Sequence, residues 1–111
     1  MQDPEDERLE FKAARQQFGW DDLSGYMVAL GNEGGGHLVM GVTDRRPRQV
    51  CGTAAFSNYR NAQQQLTQNL RLRVTVTELA HPDGRVLVWS VPPRHLGVPL
   101  DHKGAYLMRS G

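Results

Sequence analysis

Glu10, Lys12 and Asp44 are residues whose types and setting could do chemistry. Arg8-Leu9-Glu10-Phe11-Lys12 alternates polar and apolar, the period of a half-buried strand. This predicts Leu9 and Phe11 facing the core, with Arg8, Glu10 and Lys12 sharing the other face. Asp44 stands just past the apolar run His37-Leu38-Val39-Met40-Gly41-Val42, which reads as a buried central strand. Carboxylates brought together at neighbouring strand ends can hold Mg²⁺ or Mn²⁺, ions that take oxygen ligands. Such an ion activates water and steadies the charge developing on a phosphate, and a lysine beside it adds to that. The plainer alternative is a Glu10–Lys12 ion pair on a solvated face, which is worth little.

A second set is basic. Arg45, Arg46, Arg48, Arg71, Arg73, Arg94 and Arg109 are candidates for phosphate contacts, which give affinity without sequence choice. No aromatic ladder for stacking single strands is evident. Gly34, Gly35 and Gly36 lack the Gly-Lys-Ser/Thr of a phosphate loop and the Gly-x-Gly-x-x-Gly of a dinucleotide site. They read as a structural turn from helix to strand, although turn amides can meet a phosphate. The histidines 37, 81, 95 and 102 show no zinc spacing, and Cys51 is the single cysteine.

These residues need elements to hold them. Leu23, Tyr26, Met27 and Leu30 fall at helical spacing, predicting a helix over 20–32 with Asp21 or Asp22 as its N-cap. After the strand, Arg45-Arg46-Pro47-Arg48 is a basic turn, and 49–52 a short returning strand. Thr53 is positioned to cap a second helix over about 54–69, with Phe56, Tyr59, Gln63, Leu66 and Leu70 near one face. From Leu70 the alternation puts Leu72, Val74 and Val76 on one face of a strand and Arg71 and Arg73 on the other. Pro82-Asp83-Gly84 turns the chain into an apolar return strand carrying Trp89. A last short strand is expected over 104–109. The sum is an α+β fold, with two helices on a mixed or antiparallel sheet of five or six strands.

Length and composition agree with one domain over 1–111, with 1–7 a mobile acidic arm. The chain has 111 residues, 39% hydrophobic and 23% charged, ordinary for a globular protein. No apolar run approaches the ~20 residues of a membrane span. An acidic N-terminus and one cysteine fit a cytoplasmic setting. The net charge of +1 conceals a division: through Asp44 there are 3 Lys/Arg and 9 Asp/Glu, and beyond it 10 and 3. Such a split suits a polyanion at the second part and a metal at the first, unless the charges merely solvate strand faces.

Four segments in order carry a family resemblance. They are Leu9-Glu10-Phe11-Lys12; Ala29-Leu30-Gly31-Asn32-Glu33-Gly34-Gly35-Gly36; Leu38-Val39-Met40-Gly41-Val42-Thr43-Asp44; and Gly104-Ala105-Tyr106-Leu107-Met108-Arg109-Ser110-Gly111. Order and spacing resemble the Schlafen-type, Alba-like domain over about residues 5–111. Gly31 replaces a more usual alanine, and Glu33 a small residue. The resemblance implies a nucleic-acid-binding α+β module, in bacteria usually the N-terminal part of a larger transcriptional regulator. The rest of the longer chain is then a partner, and a homodimer stays open. In animal Schlafens a related domain is a metal-dependent endoribonuclease whose acidic triad, carried over, falls on Glu5, Glu10 and Asp44. Two functions follow as expectations: salt-sensitive binding of DNA or RNA through a basic surface, or Mg²⁺- or Mn²⁺-dependent RNA cleavage.

Overall fold

The structure is a computed structural model and describes residues 8–93, 101–102 and 105–106. Glu5, Arg94 and Arg109 lie outside the described residues, as does the acidic arm. The chain runs β1 (Arg8–Lys12), α1 (Trp20–Asn32), β2 (Gly36–Met40), α2 (Tyr59–Leu70), β3 (Thr75–His81) and β4 (Gly84–Val91). Two short strands follow, β5 (Asp101–His102) and β6 (Ala105–Tyr106).

The main sheet has four strands in the order β1-β2-β4-β3, not five or six. β1 pairs parallel with β2 across the α1 crossover, while β4 pairs antiparallel with both β2 and β3. The expected extra strands do not join it: β5 and β6 pair with each other, and the predicted return strand shrinks to one bridge, Val42 to Val50. A run so short, following a proline-broken turn, supplies too few amides for a ladder.

One face of this sheet holds the core. Leu38 and Met40 lie opposite Trp89 and Leu87, and all four are fully buried. They pack with Leu23, Met27, Val28 and Leu30 of α1 and with Ala62 and Leu66 of α2, so both helices share that face. The register corrects the reading of β1. Glu10 lies opposite Leu38 and Lys12 opposite Met40, which puts them on the helix side. Leu9 and Phe11 fall on the other face with His37 and Val39, and Leu9 remains 57% exposed. β1 is an edge strand, so its helix-side residues can send polar heads past the rim of α1. Arg8 does so towards Glu33, at 3.9 Å.

α1 matches its predicted span, but neither aspartate caps it. Gly19 is the N-cap, with no side-chain cap bond, and Asp21 and Asp22 occupy the first turn. There their charge still complements the positive end of the helix dipole. α2 starts later than expected. Asn58 is its N-cap and accepts from the Asn61 amide at 3.3 Å. Thr53 is engaged elsewhere: its hydroxyl donates to the Ala14 carbonyl and accepts from the Ala55 amide. The strand expected from Leu70 to Leu79 begins only at Thr75, because Leu70 closes α2 and Arg71, at φ 53°, is its left-handed C-cap. Leu72 and Val74 are nonetheless buried, Val76 is half-buried, and Arg71 and Arg73 are exposed.

The glycine turn is tight. Gly34 and Gly35 have φ of 106° and 92°, and the Gly35 amide donates to the Leu30 carbonyl at 2.8 Å. A Cβ on Gly35 would stand 2.9 Å from the Pro93 nitrogen and 3.0 Å from the Val91 carbonyl oxygen. Both the torsion and the space therefore exclude a side chain. Gly35→Val is expected to destabilise the fold by about 2 kcal/mol or more, read as a lower urea midpoint at unchanged slope.

Candidate functional site

The basic turn is a loop with a fastened base. Gly41 accepts from the amides of Cys51 and Gly52 at 2.8 and 3.0 Å. Above that, the Thr43 amide donates to the Gln49 carbonyl, and the Gln49 amide donates to the Thr43 hydroxyl, both at 2.9 Å. Asp44, Arg45, Arg46 and Arg48 are carried beyond this closure, and all four are exposed. The Arg48 guanidinium lies 4.3 Å from the centre of the Phe11 ring, so the loop is laid along the end of β1. A cation on an aromatic face gains about 0.5–1 kcal/mol at such an exposed position.

Lys12 stands on the opposite side of β1 from Phe11, with its ammonium 5.5 Å from the centre of the Tyr26 ring. Its pKa is raised above 10.5. The hydrogen bond to Tyr26 is the largest cause, partial burial opposes it, and the charges of Tyr26, Asp44 and Glu10 add to the rise. Glu10 and Asp44 are thus both within electrostatic reach of one ammonium. Among the described residues no three histidine, cysteine or acidic side chains form a group able to hold a metal. Glu10 and Asp44 alone fall short of a metal cage.

The predicted arginines do not gather in one place. Gly36 pairs with Val91, and His37 and Thr75 both pair with Ser90, so the start of β3 lies at the opposite end of the sheet from Asp44. Arg71 and Arg73 precede β3 and belong to that far end. The five residues of β2 set the two groups roughly 16 Å apart along the strand direction. The glycine turn is also at the far end, and the Gly34 and Gly35 amides donate to the α1 carbonyls of Gly31 and Leu30. They are therefore not offered to a phosphate beside Asp44.

Two features escaped sequence reasoning. Arg15 and Arg60 are exposed cations at the near end, on the segment after β1 and the first turn of α2. Arg85 is the other. Its Nη1 donates to the carbonyls of Thr53 and Ala55 at 3.0 and 2.9 Å, and its Nη2 to that of Phe56 at 2.8 Å. Its Nε donates to Glu78 at 3.0 Å. A lone arginine opening an otherwise apolar strand was the available signal, because such a charge must find acceptors.

The sheet order, with both helices on one face, defines an α+β domain. The model of the Schlafen, AlbA_2 family matches residues 5–111, and the chain belongs to that family. Two solved structures share the fold. The DIP2311 protein of Corynebacterium diphtheriae superposes with a TM-score of 0.64 at 18% identity, over 93% of this chain and 20% of that one. The chain thus spans about a fifth of that protein's length. The N-terminal domain of a protein of Nitrosomonas europaea, described as related to the ATP-dependent DNA helicase RecG, superposes at 0.52 and 21% identity. That match covers 93% of this chain and 78% of the other. No curated protein matches the sequence.

A raised lysine pKa stabilises the fold below the unfolded value and ceases to do so as pH climbs through the folded one. The stability advantage of wild type over Lys12→Met is therefore expected in full below about pH 10.5 and to shrink above it. Urea midpoints of both proteins across pH 8–12 measure this difference.

Proposed function

We propose that the domain binds nucleic acid through its backbone, as a module of a larger bacterial regulator. The observation that carries this is the fastened loop presenting Arg45, Arg46 and Arg48 at the end of β1. A loop pinned at its base holds guanidinium groups in place before a ligand arrives, which lowers the ordering cost of binding. Guanidinium forks suit phosphate oxygens, and such contacts discriminate little between sequences. Arg71, Arg73, Arg94 and Arg109 stand as further phosphate contacts. Membership of the Schlafen, AlbA_2 family supports the reading, as does the helicase-related description of one structural neighbour. The small share of DIP2311 that the chain covers supports a part of a longer protein. Among the described residues no helix is long and apolar enough to cross a membrane.

The second reading is a metal-dependent ribonuclease using Glu5, Glu10 and Asp44 with Mg²⁺ or Mn²⁺. Glu10 and Asp44 both act on the charge of Lys12, which supports a shared acidic cluster. The two readings differ at Asp44. A nuclease loses Mn²⁺-dependent cleavage in Asp44→Ala while still binding RNA; a binding module only binds slightly tighter, as one negative charge leaves the loop.

Titration of duplex DNA and of structured RNA from 50 to 200 mM salt tests both readings. Binding should weaken steeply with salt, and Arg45→Ala and Arg48→Ala should each reduce the log–log slope by about 1. Binding that is absent at low salt, or indifferent to salt, refutes the proposal. The same titration with Arg71→Ala shows whether the far end takes part. The ribonuclease reading falls if wild type gives no Mn²⁺-dependent product.

A further inference from the structure

We propose that the cleft between the loops leading into α1 and α2 receives an unstacked nucleobase. This deepens the nucleic-acid reading, on which it rests. The cleft has a volume of about 370 Å³, within the range of small-ligand sites. Phe18 and Trp20 line it from the α1 side, and Phe56 from the α2 side. All three rings are half-buried, so each offers a face or an edge while its remainder is held by protein. Phe18 packs against Tyr26 with centroids 6.2 Å apart, and Phe56 packs edge-on against the fully buried Trp89 at 5.6 Å.

The polar lining is mostly of one chemical kind, with Ser57 adding a single hydroxyl. Gln16, Gln17, Asn58, Asn61 and Gln65 are all carboxamides, and all are exposed. A carboxamide is donor and acceptor at once, which matches the mixed donor and acceptor edge of a nucleobase. No charged side chain lines the cleft, so a phosphate or a carboxylate is not its natural occupant. Aromatic rings to stack on and amides to bond the edge are the combination that single-stranded recognition uses. The sequence hides this grouping, because 36 residues separate Trp20 from Phe56.

The cleft is built in advance and placed at the basic end. The three carbonyl bonds from Arg85 to Thr53, Ala55 and Phe56 fix the α2-side wall. The Ala54 amide donates to the Arg15 carbonyl at 2.8 Å, which ties the two walls together. Arg15 adjoins Gln16, and Arg60 adjoins Asn61. Both arginines are exposed and so available to phosphates of the strand that carries the lodged base. One unpaired base in the cleft converts backbone affinity into a preference for single-stranded or looped nucleic acid.

Trp20 supplies the readout, because the other tryptophan, Trp89, is fully buried in the core. Fluorescence is titrated with single-stranded oligonucleotides of each base, with a blunt duplex of equal length, and with free nucleosides. Single strands should quench Trp20, and the quench should vanish in Trp20→Phe. The duplex should bind without the quench. Asn61→Ala with Gln65→Ala changes two exposed side chains, leaving the Asn61 backbone cap intact, and should weaken single-strand binding about tenfold. Its duplex binding should stay at the wild-type level. Quenching by nucleosides with the same amide dependence identifies the isolated base as sufficient; its absence assigns the site to bases within a strand. Single-strand binding unchanged in the amide variant, or equal quenching by the duplex, overturns this inference and leaves the backbone reading standing. Absence of binding to every polymer overturns both.

Discussion

The Arg85 guanidinium is the tie on which the end of the molecule carrying the basic loop depends. It leaves the start of β4 and holds three parts of one loop, the carbonyls of Thr53, Ala55 and Phe56. Those carbonyls have no ladder to join, since the chain between β2 and α2 makes only the Val42–Val50 bridge. Buried backbone acceptors without partners are costly, so a single planar donor group replaces a strand's worth of pairing. Glu78 closes the arrangement from β3 by accepting from the Arg85 Nε. The charge is thereby countered where solvent access falls, as a partly buried guanidinium requires.

That tie works only if the loop can reach the strand. Gly52 and Gly84 touch backbone to backbone, and a Cβ on Gly84 would stand 2.5 Å from the Gly52 Cα. The approach seats Thr53 so that its amide donates to the Arg85 carbonyl at 2.9 Å. The Thr53 hydroxyl then holds Ala14, and the Arg15 carbonyl takes the Ala54 amide. A chain of short-range contacts therefore runs from β4 through the loop before α2 to the segment after β1. The basic loop and the amide-lined cleft are both consequences of it.

Local sequence fixed what depends on local physics. The span of α1 and the positive φ in the glycine turn follow from spacing and torsion. What the sequence withheld are choices among equivalent options. Alternation in β1 says that Leu9 and Phe11 share a face, but not which face the helices cover; that is decided by pairing with β2. Thr53 and Asn58 are both good N-caps, and the loop's need for Thr53 at Ala14 settles the choice for Asn58. The strand count erred because a short strand beyond Pro92-Pro93 need not join the sheet before it. Arg85 and the aromatic cleft were illegible because their meaning lies in contacts across 29 to 36 residues.

The acidic residues take a different meaning once Lys12 is placed. In sequence, Glu10 and Asp44 look like a pair awaiting a cation. In the fold, a cation is already built in: the pKa of Lys12 is raised by Tyr26 foremost, and by Asp44 and Glu10 in addition. A lysine held above its ordinary value keeps its proton throughout the neutral range, so it acts as a fixed positive charge and not as a base. A divalent ion drawn to the same carboxylates must compete with that charge, whereas a phosphate drawn to Arg45, Arg46 and Arg48 is helped by it. Asp44 tempers the arginine loop on which it sits without cancelling it, one carboxylate among three exposed guanidinium groups. Any ion drawn to Glu10 and Asp44 therefore meets the Lys12 charge, and a metal site there needs groups beyond these two.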